Sequence, residues 1–249
     1  MKSVYTVIIL ILSLLAFSSC TDNEEAPSAN SEITTEEAAE IVGTSLASSS
    51  AGLDEITVEV AETSEEIATE TAFDPCGVQR DTAYSISSPS GAAISYTGEL
   101  SYDFGVGCVG DSPQTFSYEV EYSSIFDTPR MASSNTGSSS LSLEKLSNDY
   151  IIFEVNGSYT RTGSFDSKIL NKTSSDASVT FNLNDLVVDL NDKHINGGSA
   201  TFTLAGSTAK GDIFNVTGDI SFDGQGNALI SIDGQRFTLD LATGDMVEV

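Results

Sequence analysis

Residues 227–241, NALISIDGQRFTLDL, contain the pattern that decides the fold. On each side of Asp233-Gly234, apolar residues occupy every second position, namely Ala228, Ile230, Ile232, Phe237, Leu239 and Leu241. An Asp-Gly pair between two alternating runs is the strongest short-range signal for a β-hairpin, because both residues tolerate the positive φ of a tight turn. This stretch therefore predicts two antiparallel strands joined by a two-residue turn.

Alternating runs of the same kind recur between residues 72 and 249. The clearest lie at 116–122, 151–155, 179–183 and 202–204. About nine to eleven such runs at roughly ten-residue spacing predict a mainly β domain, either an antiparallel β-sandwich or a partly open barrel. The Ser- and Asn-rich segment 133–140 is predicted to be a loop. The segment 84–122 contains five tyrosines, Tyr84, Tyr96, Tyr102, Tyr118 and Tyr122. Most of them fall in the alternating runs and are predicted to lie in the core.

A short acidic helical segment is predicted over residues 34–71, ahead of the β domain. Thr34 and Glu37 have the spacing of a capping box, so a helix is predicted to begin there. Apolar residues then share one helical face, at Ala38, Ile41, Val42 and Leu46. The stretch 53–71 predicts a second helix, and a strand stays open as the alternative because the stretch contains several β-branched residues.

The chain is strongly acidic, with 37 Asp and Glu, 10 Lys and Arg, and a formal net charge of −27. Fourteen of the acidic residues lie between Thr21 and Thr71, a span that contains no Lys or Arg. Binding to nucleic acid requires basic residues that displace counterions from the phosphates, so the composition excludes nucleic acid as a partner. The same charge opposes direct docking on an anionic lipid surface.

The N-terminus has the pattern of a secretory signal. Lys2 supplies a positive charge, the apolar run 4–17 follows, and Ser18-Ser19 precedes Cys20. An apolar run of about 7–15 residues before small residues is typical of a cleaved signal, whereas a membrane span requires roughly 20. Residues 1–19 are therefore predicted to be a signal peptide, and residues 20–33 an acidic tether.

The segment Leu15-Ala16-Phe17-Ser18-Ser19-Cys20 resembles the lipobox of bacterial lipoproteins. The resemblance implies cleavage before Cys20, a diacylglycerol on its thiol, and a membrane partner held through acyl chains. Phe17 stands where that family usually has Leu, and the alternative is an ordinary signal peptide with an incidental cysteine. The acidic residues after Cys20 loosely resemble the export signal of surface lipoproteins in the Bacteroidota, with a solvated tether as the alternative. The expected location is the cell envelope, at the outer membrane and displayed on the surface.

Cys76 and Cys108 are the remaining cysteines. On the oxidising side of a membrane such a pair most simply forms a disulfide. Two free thiols or a metal pair are the alternatives, but a chain with one histidine offers no plausible ligand set for zinc. No cofactor is predicted.

The layout of the chain resembles a group of uncharacterised lipoproteins from flavobacteria and related Bacteroidota. The features that carry the resemblance are Thr35 to Ala38, Cys76-Gly77, Asp103 to Cys108, and the C-terminal sequence from Phe222 to Gly244 with its repeated Asp-Gly pairs. This resemblance implies a source and a compartment, and no established activity.

Residues that could bind or react are few. His194 is the single histidine and is predicted to be a solvated turn residue. Asp189, Asn191 and Asp192 form a weak candidate for Ca²⁺, since hard cations prefer several oxygen ligands. Asp219 and Asp223, near Asn227, form a second weak candidate for Ca²⁺. Thr82, in Asp81-Thr82-Ala83, resembles an O-glycosylation acceptor of the Bacteroidota.

The predicted function is non-catalytic binding or scaffolding by a lipid-anchored envelope protein, with an unknown protein or glycan as ligand. The sequence contains no Gly-x-Ser-x-Gly nucleophile motif, and a Ser-His-Asp triad would have to use His194, the single histidine. The first alternative is a glycan-binding accessory lipoprotein, whose mark would be tyrosines on an exposed sheet face. A less favoured alternative is a hydrolase with two carboxylates about 5–10 Å apart.

Overall fold

The computed structural model describes residues 33–70, 74–88, 90 and 94–249. The predicted signal peptide, Cys20 and the tether up to residue 32 lie outside these residues, as does the predicted domain boundary at 71 and 72. Residues 31–249 belong to one compact unit.

Two helices begin the described part of the chain, α1 (Thr35–Leu46) and α2 (Leu53–Thr69), with the short 3-10 turn Ser48–Ser50 between them. The predicted capping box is confirmed, because the Glu37 N–H donates to Thr34 Oγ1 over 3.1 Å and the Thr34 N–H donates to Glu37 Oε2 over 3.3 Å. The stretch from residue 53 is a helix, so the strand alternative is wrong. Its apolar residues outweigh the low helix propensity of its β-branched residues, because Ile56, Val58 and Val60 are all buried.

Eleven strands follow in the described residues. They are β1 (Gln79–Ser87), β2 (Ser95–Val109), β3 (Ser112–Asp127), β4 (Met131–Lys145), β5 (Ile152–Ser167), β6 (Ser174–Asp189), β7 (His194–Thr208), β8 (Ile213–Phe222), β9 (Asn227–Ile232), β10 (Gln235–Asp240) and β11 (Met246–Glu248). Each strand pairs antiparallel with its neighbours in sequence, in the order β1 to β11.

The prediction of a mainly β, antiparallel domain is confirmed. Among the described strands there is one sheet, and its first and last strands do not pair with each other, so the sheet is open and there is no second sheet facing it. The hairpin predicted at Asp233-Gly234 joins β9 to β10, and both turn residues have positive φ, 48° and 85°. One sheet face is buried, and the two helices share its hydrophobic core.

A row of aromatic rings crosses the buried face of the sheet from β3 to β7. Tyr122, Tyr159 and Phe181 stack in succession, with ring centroids 5.4 and 5.5 Å apart, and Phe202 meets Phe181 edge-on at 6.4 Å. Tyr122 leans across β4 because the residue paired with it there is Gly137, whose missing Cβ would overlap the Tyr122 hydroxyl. Aromatic pairs of this kind contribute about 0.5–1.5 kcal/mol beyond the area they bury.

The loop predicted at 133–140 is wrong, because these residues lie inside β4. Two of their inward polar side chains are hydrogen-bonded, since Ser124 Oγ donates to Asn135 Oδ1 over 2.8 Å and Asn135 Nδ2 donates to Ser133 Oγ over 3.1 Å, whereas the buried Ser139 hydroxyl has no partner among the described residues. β4 pairs along most of its length with β3 and β5, and this pairing outweighs the low strand propensity of Ser and Asn.

Candidate functional site

The exposed face of β4–β8 consists largely of hydroxyl side chains, and we call it the hydroxyl face. Adjacent strands align these side chains in rows, because the strands are paired without interruption there. One row runs across five strands through Ser138, Thr160, Thr180, Thr203 and Thr217. The exposed positions of these strands contain no Lys or Arg. The surface is therefore an array of hydroxyl donors and acceptors at the strand spacing of about 4.8 Å, with scattered carboxylates such as those of Glu144 and Asp166.

Neighbouring hydroxyls on this face bond to one another. Thr162 Oγ1 donates to Ser178 Oγ over 2.8 Å, and the Thr160 and Thr180 hydroxyl oxygens are 3.2 Å apart. A hydroxyl both donates and accepts, so each member of such a pair keeps capacity for a further partner in solution. Cross-strand pairs of this type also stabilise the register of the sheet.

A trough of about 840 Å³ lies where the hydroxyl face continues onto β1–β3. It is lined by Ala83, Ser85, Glu99, Leu100, Ser101, Glu121, Tyr122, Ser123, Thr136, Gly137, Ser138, Thr160 and Thr162. The side chains that point outward here are small, with two exceptions, so the lining is hydroxyl groups and peptide backbone. Its volume is within the range of about 300–1,000 Å³ that is usual for small-molecule sites.

The two exceptions are Glu99 and Glu121, which are both exposed. In the register of β2 and β3, Glu99 faces Ser123 and Glu121 faces Ser101, so the two glutamates are diagonal neighbours. Diagonal positions of an antiparallel pair are about 7–8 Å apart. Neither carboxylate has a hydrogen-bond or ion-pair partner among the described residues, whereas the carboxylate of the nearby Glu119 accepts a bond of 2.8 Å from Ser140 Oγ.

His194 is not a solvated turn residue, and this prediction is wrong. Its side chain is 26% exposed, and its Nδ1 lies 2.7 Å from Oδ2 of the fully buried Asp54 at the start of α2. The same carboxylate accepts bonds from the Ile195 N–H over 2.8 Å and from Ser48 Oγ over 2.6 Å. The hydrogen bond with Asp54 raises the pKa of His194 above its ordinary value of 6.5. Because the Ser48 hydroxyl bonds the carboxylate and not the imidazole, the three groups do not form a nucleophilic triad.

Arg161 is the largest fully buried side chain of the described residues, and the sequence analysis did not single it out. Its guanidinium donates to the carbonyl oxygens of Thr44 (2.9 Å), Ser50 (3.2 Å) and Ala51, at the end of α1 and in the turn that follows. It lies 5.5 to 5.9 Å from the ring centroids of Tyr122, Phe126 and Tyr159. The negative end of the helix dipole and three aromatic faces therefore compensate the buried charge.

The structure places the other predicted site residues as follows. Cys76 and Cys108 are confirmed at disulfide-bonding distance, with their sulfurs 2.05 Å apart. Thr82 is exposed on the edge strand β1. Asp189 Oδ1 accepts bonds of 2.9 Å from the N–H and the side-chain amide of Asn191, and Asp192 Oδ2 accepts one of 2.6 Å from the Asn196 amide. These carboxylate oxygens therefore accept the hydrogen bonds of the turn between β6 and β7.

Metal ligands do not cluster in the described part of the chain, where no group of three or more His, Cys, Asp or Glu side chains is arranged to hold an ion. Asp223, of the second acidic group, accepts bonds from Gln225 and Asn227 in another turn. A glycan site marked by tyrosines would need their rings on the exposed face of the sheet. Three of the tyrosines considered for that role, Tyr102, Tyr118 and Tyr122, are instead buried in the core.

None of the described helices has the length and apolar character needed to cross a membrane. No family model matches the chain, and neither a curated protein nor a solved structure matches it.

Proposed function

We propose that the chain is an exported lipoprotein, anchored through Cys20 in the cell envelope at the outer membrane, whose β domain binds a ligand without transforming it. The lipobox-like segment that ends at Cys20 supports the anchor. The Cys76–Cys108 pair at bonding distance is consistent with folding on the oxidising side of a membrane. A net charge of −27 agrees with attachment through acyl chains, since the protein surface itself repels anionic lipid.

Metabolic labelling with an alkyne analogue of palmitate tests the anchor. We expect label on the wild-type protein and none on Cys20→Ala, while the double variant Cys76→Ala/Cys108→Ala keeps the label. Equal labelling of Cys20→Ala would overturn the anchor. Protease treatment of intact cells then distinguishes the two faces of the outer membrane, because only a surface-exposed β domain is digested before the membrane is opened.

The ligand that the exposed face of the domain suits best is a glycan. The single observation that carries this proposal is the trough, whose lining of hydroxyls and backbone matches a ligand that itself consists of closely spaced hydroxyls. A protein partner would be expected to meet apolar or aromatic groups at the centre of the surface, and the hydroxyl face has few. Glycan binding here does not use the aromatic platform expected from the tyrosines, since Tyr102, Tyr118 and Tyr122 face the core.

The hydrolase alternative receives less support. Glu99 and Glu121 have a separation compatible with a carboxylate pair, but both are exposed on an open surface. A carboxyl group that acts as a general acid near neutral pH needs burial or a close like charge to keep its proton.

A glycan array probed with the full-length protein in detergent tests the proposal, with Ser138→Phe as the variant that fills the trough. Thr217→Phe adds the same ring to the same face, four strands away, and serves as the matched control. We expect binding that Ser138→Phe abolishes and Thr217→Phe preserves. If no glycan binds the wild-type protein, the glycan proposal fails.

A further inference from the structure

The charge and contacts of the trough specify its ligand more closely than its hydroxyls alone. Glu99 and Glu121 are the only ionisable side chains among its lining residues other than a buried tyrosine, and no basic residue is present. Two carboxyl groups and no basic group therefore make the site acidic. A ligand of neutral hydroxyls would leave both of these charges without a partner.

Neither carboxylate is used by the fold. Every buried carboxylate that the structure brings to the sheet and helices has partners, as Asp54 and Glu40 do, and the exposed Glu119 is bonded by Ser140. Glu99 and Glu121 have none among the described residues, although serine hydroxyls lie opposite both of them. Both carboxylates therefore remain available to a ligand in the trough. The hydroxyls of Ser123, Thr136 and Ser138, which line the same trough, also have no hydrogen-bond partner among the described residues.

We propose that the trough over β1–β5 binds a polyhydroxylated glycan that carries amino groups, with Glu99 and Glu121 pairing with the ammonium groups and the neighbouring hydroxyls bonding the sugar hydroxyls. This inference rests on the proposed glycan function and narrows its ligand to a cationic sugar. The diagonal spacing of about 7–8 Å between the two glutamates suits ammonium groups on neighbouring sugars better than a single shared ammonium, which two carboxylates would have to approach within about 4 Å.

Matched oligosaccharides test the proposal by titration calorimetry on the full-length protein in detergent. The probes are the β-1,4-linked hexamer of glucosamine, at a pH at which its amines are protonated, and the β-1,4-linked hexamer of glucose. We expect the glucosamine hexamer to bind more tightly, and its affinity to fall with rising salt. Glu99→Gln/Glu121→Gln should weaken it by about fivefold to tenfold, the effect of two exposed charge pairs. Glu144→Gln, exposed on β4 outside the trough, is the control and should change little.

Each other outcome overturns the inference in a distinct way. Equal binding of the two hexamers, unaffected by Glu99→Gln/Glu121→Gln, refutes the cationic ligand and leaves the glycan function standing. An absence of binding by both hexamers and on the glycan array refutes both proposals. Hexalysine that binds as tightly as the glucosamine hexamer, with an equal loss in Glu144→Gln, shows general attraction of a polycation to an acidic protein and refutes a defined site.

Discussion

Arg161 is the residue whose position depends most on the whole fold. It lies on β5 two residues after Tyr159 and four before Phe165, and all three side chains point into the core. The alternation that identified the strand therefore also placed this arginine inward, a signal available in the sequence. Its partners were not predictable, because the carbonyls of Thr44 and Ala51 lie more than a hundred residues earlier in the chain.

Replacing Arg161 with Met tests its role in holding the helices on the sheet. Met fills much of the same volume but donates no hydrogen bond, so the carbonyl oxygens at the end of α1 lose their donors. We expect a loss of about 2–4 kcal/mol in the free energy of unfolding, since each buried group left unpaired costs about 1–3 kcal/mol. Urea denaturation followed by circular dichroism measures it. Arg236→Met, at an exposed arginine of β10, should change the stability by less than about 0.5 kcal/mol.

His194 contributes stability that depends on pH. Its pKa is raised in the folded protein by the hydrogen bond with Asp54, so the folded state binds the proton more tightly than the unfolded state. The contribution is therefore complete below the ordinary pKa of 6.5 and is lost as the pH rises through the higher folded pKa. The excess stability of the wild-type protein over His194→Gln should accordingly shrink from pH 6 to pH 9. Lys193→Gln, next in sequence and exposed, should show no such change, and a constant difference for His194→Gln would contradict the assignment.

At the scale of elements, the sequence predicted what local patterns control. The capping box at Thr34, the turn at Asp233-Gly234 and the alternating strands are all interactions between near neighbours in sequence. The predictions that were wrong or missing concern pairing between residues far apart in the sequence. Residues 133–140 were predicted to be a loop because Ser and Asn favour turns in isolation, and only the pairing of β4 with β3 and β5 makes them part of a strand. The trough was missed for the same reason, since its lining comes from five strands whose register the sequence does not specify.

We expect the edge strand β1 to depend on the Cys76–Cys108 pair more than any other described strand does. Among the described strands, β1 is paired on one side only, and most of its residues are exposed, so burial contributes little to its stability. The cross-link joins the residues before β1 to the end of β2. Loss of this loop of about 30 residues in Cys76→Ala/Cys108→Ala should cost roughly 3–4 kcal/mol.

Amide hydrogen exchange followed by mass spectrometry locates the effect of that double variant. Protection should fall most in β1, while β5 and β6, which are paired on both sides, should change only by the global loss of stability. Uniform deprotection across all strands would show that the cross-link stabilises the sheet as a whole rather than its edge. The same chain with its cysteines intact, treated with a reductant, should reproduce the pattern of the variant.

At the scale of the whole molecule, the described residues form one open sheet with a single face to cover, and the two N-terminal helices complete its core. The other face is free to be polar, and this explains how a chain with so many Ser, Thr and acidic residues still folds. The cost of this composition is electrostatic repulsion, because the chain has 37 acidic residues and 10 basic ones. Across β1–β3, Asp81, Asp103 and Glu119 even face one another directly in register.

Stability should therefore increase with ionic strength. Raising NaCl from 0.01 to 0.15 M shortens the Debye length from about 30 to about 8 Å and screens repulsion between carboxylates, so the urea midpoint should rise. Asp103→Asn, at the centre of the row of three carboxylates, should stabilise the protein at low salt by about 0.2–1 kcal/mol and reduce the salt dependence. Asp166→Asn is the matched control, because Asp166 on β5 faces only Ala132 and Ser174. A urea midpoint that falls with salt would show that these carboxylates are stabilised by partners rather than opposed by one another. An equal gain from both variants would show a general effect of the net charge rather than repulsion within this row.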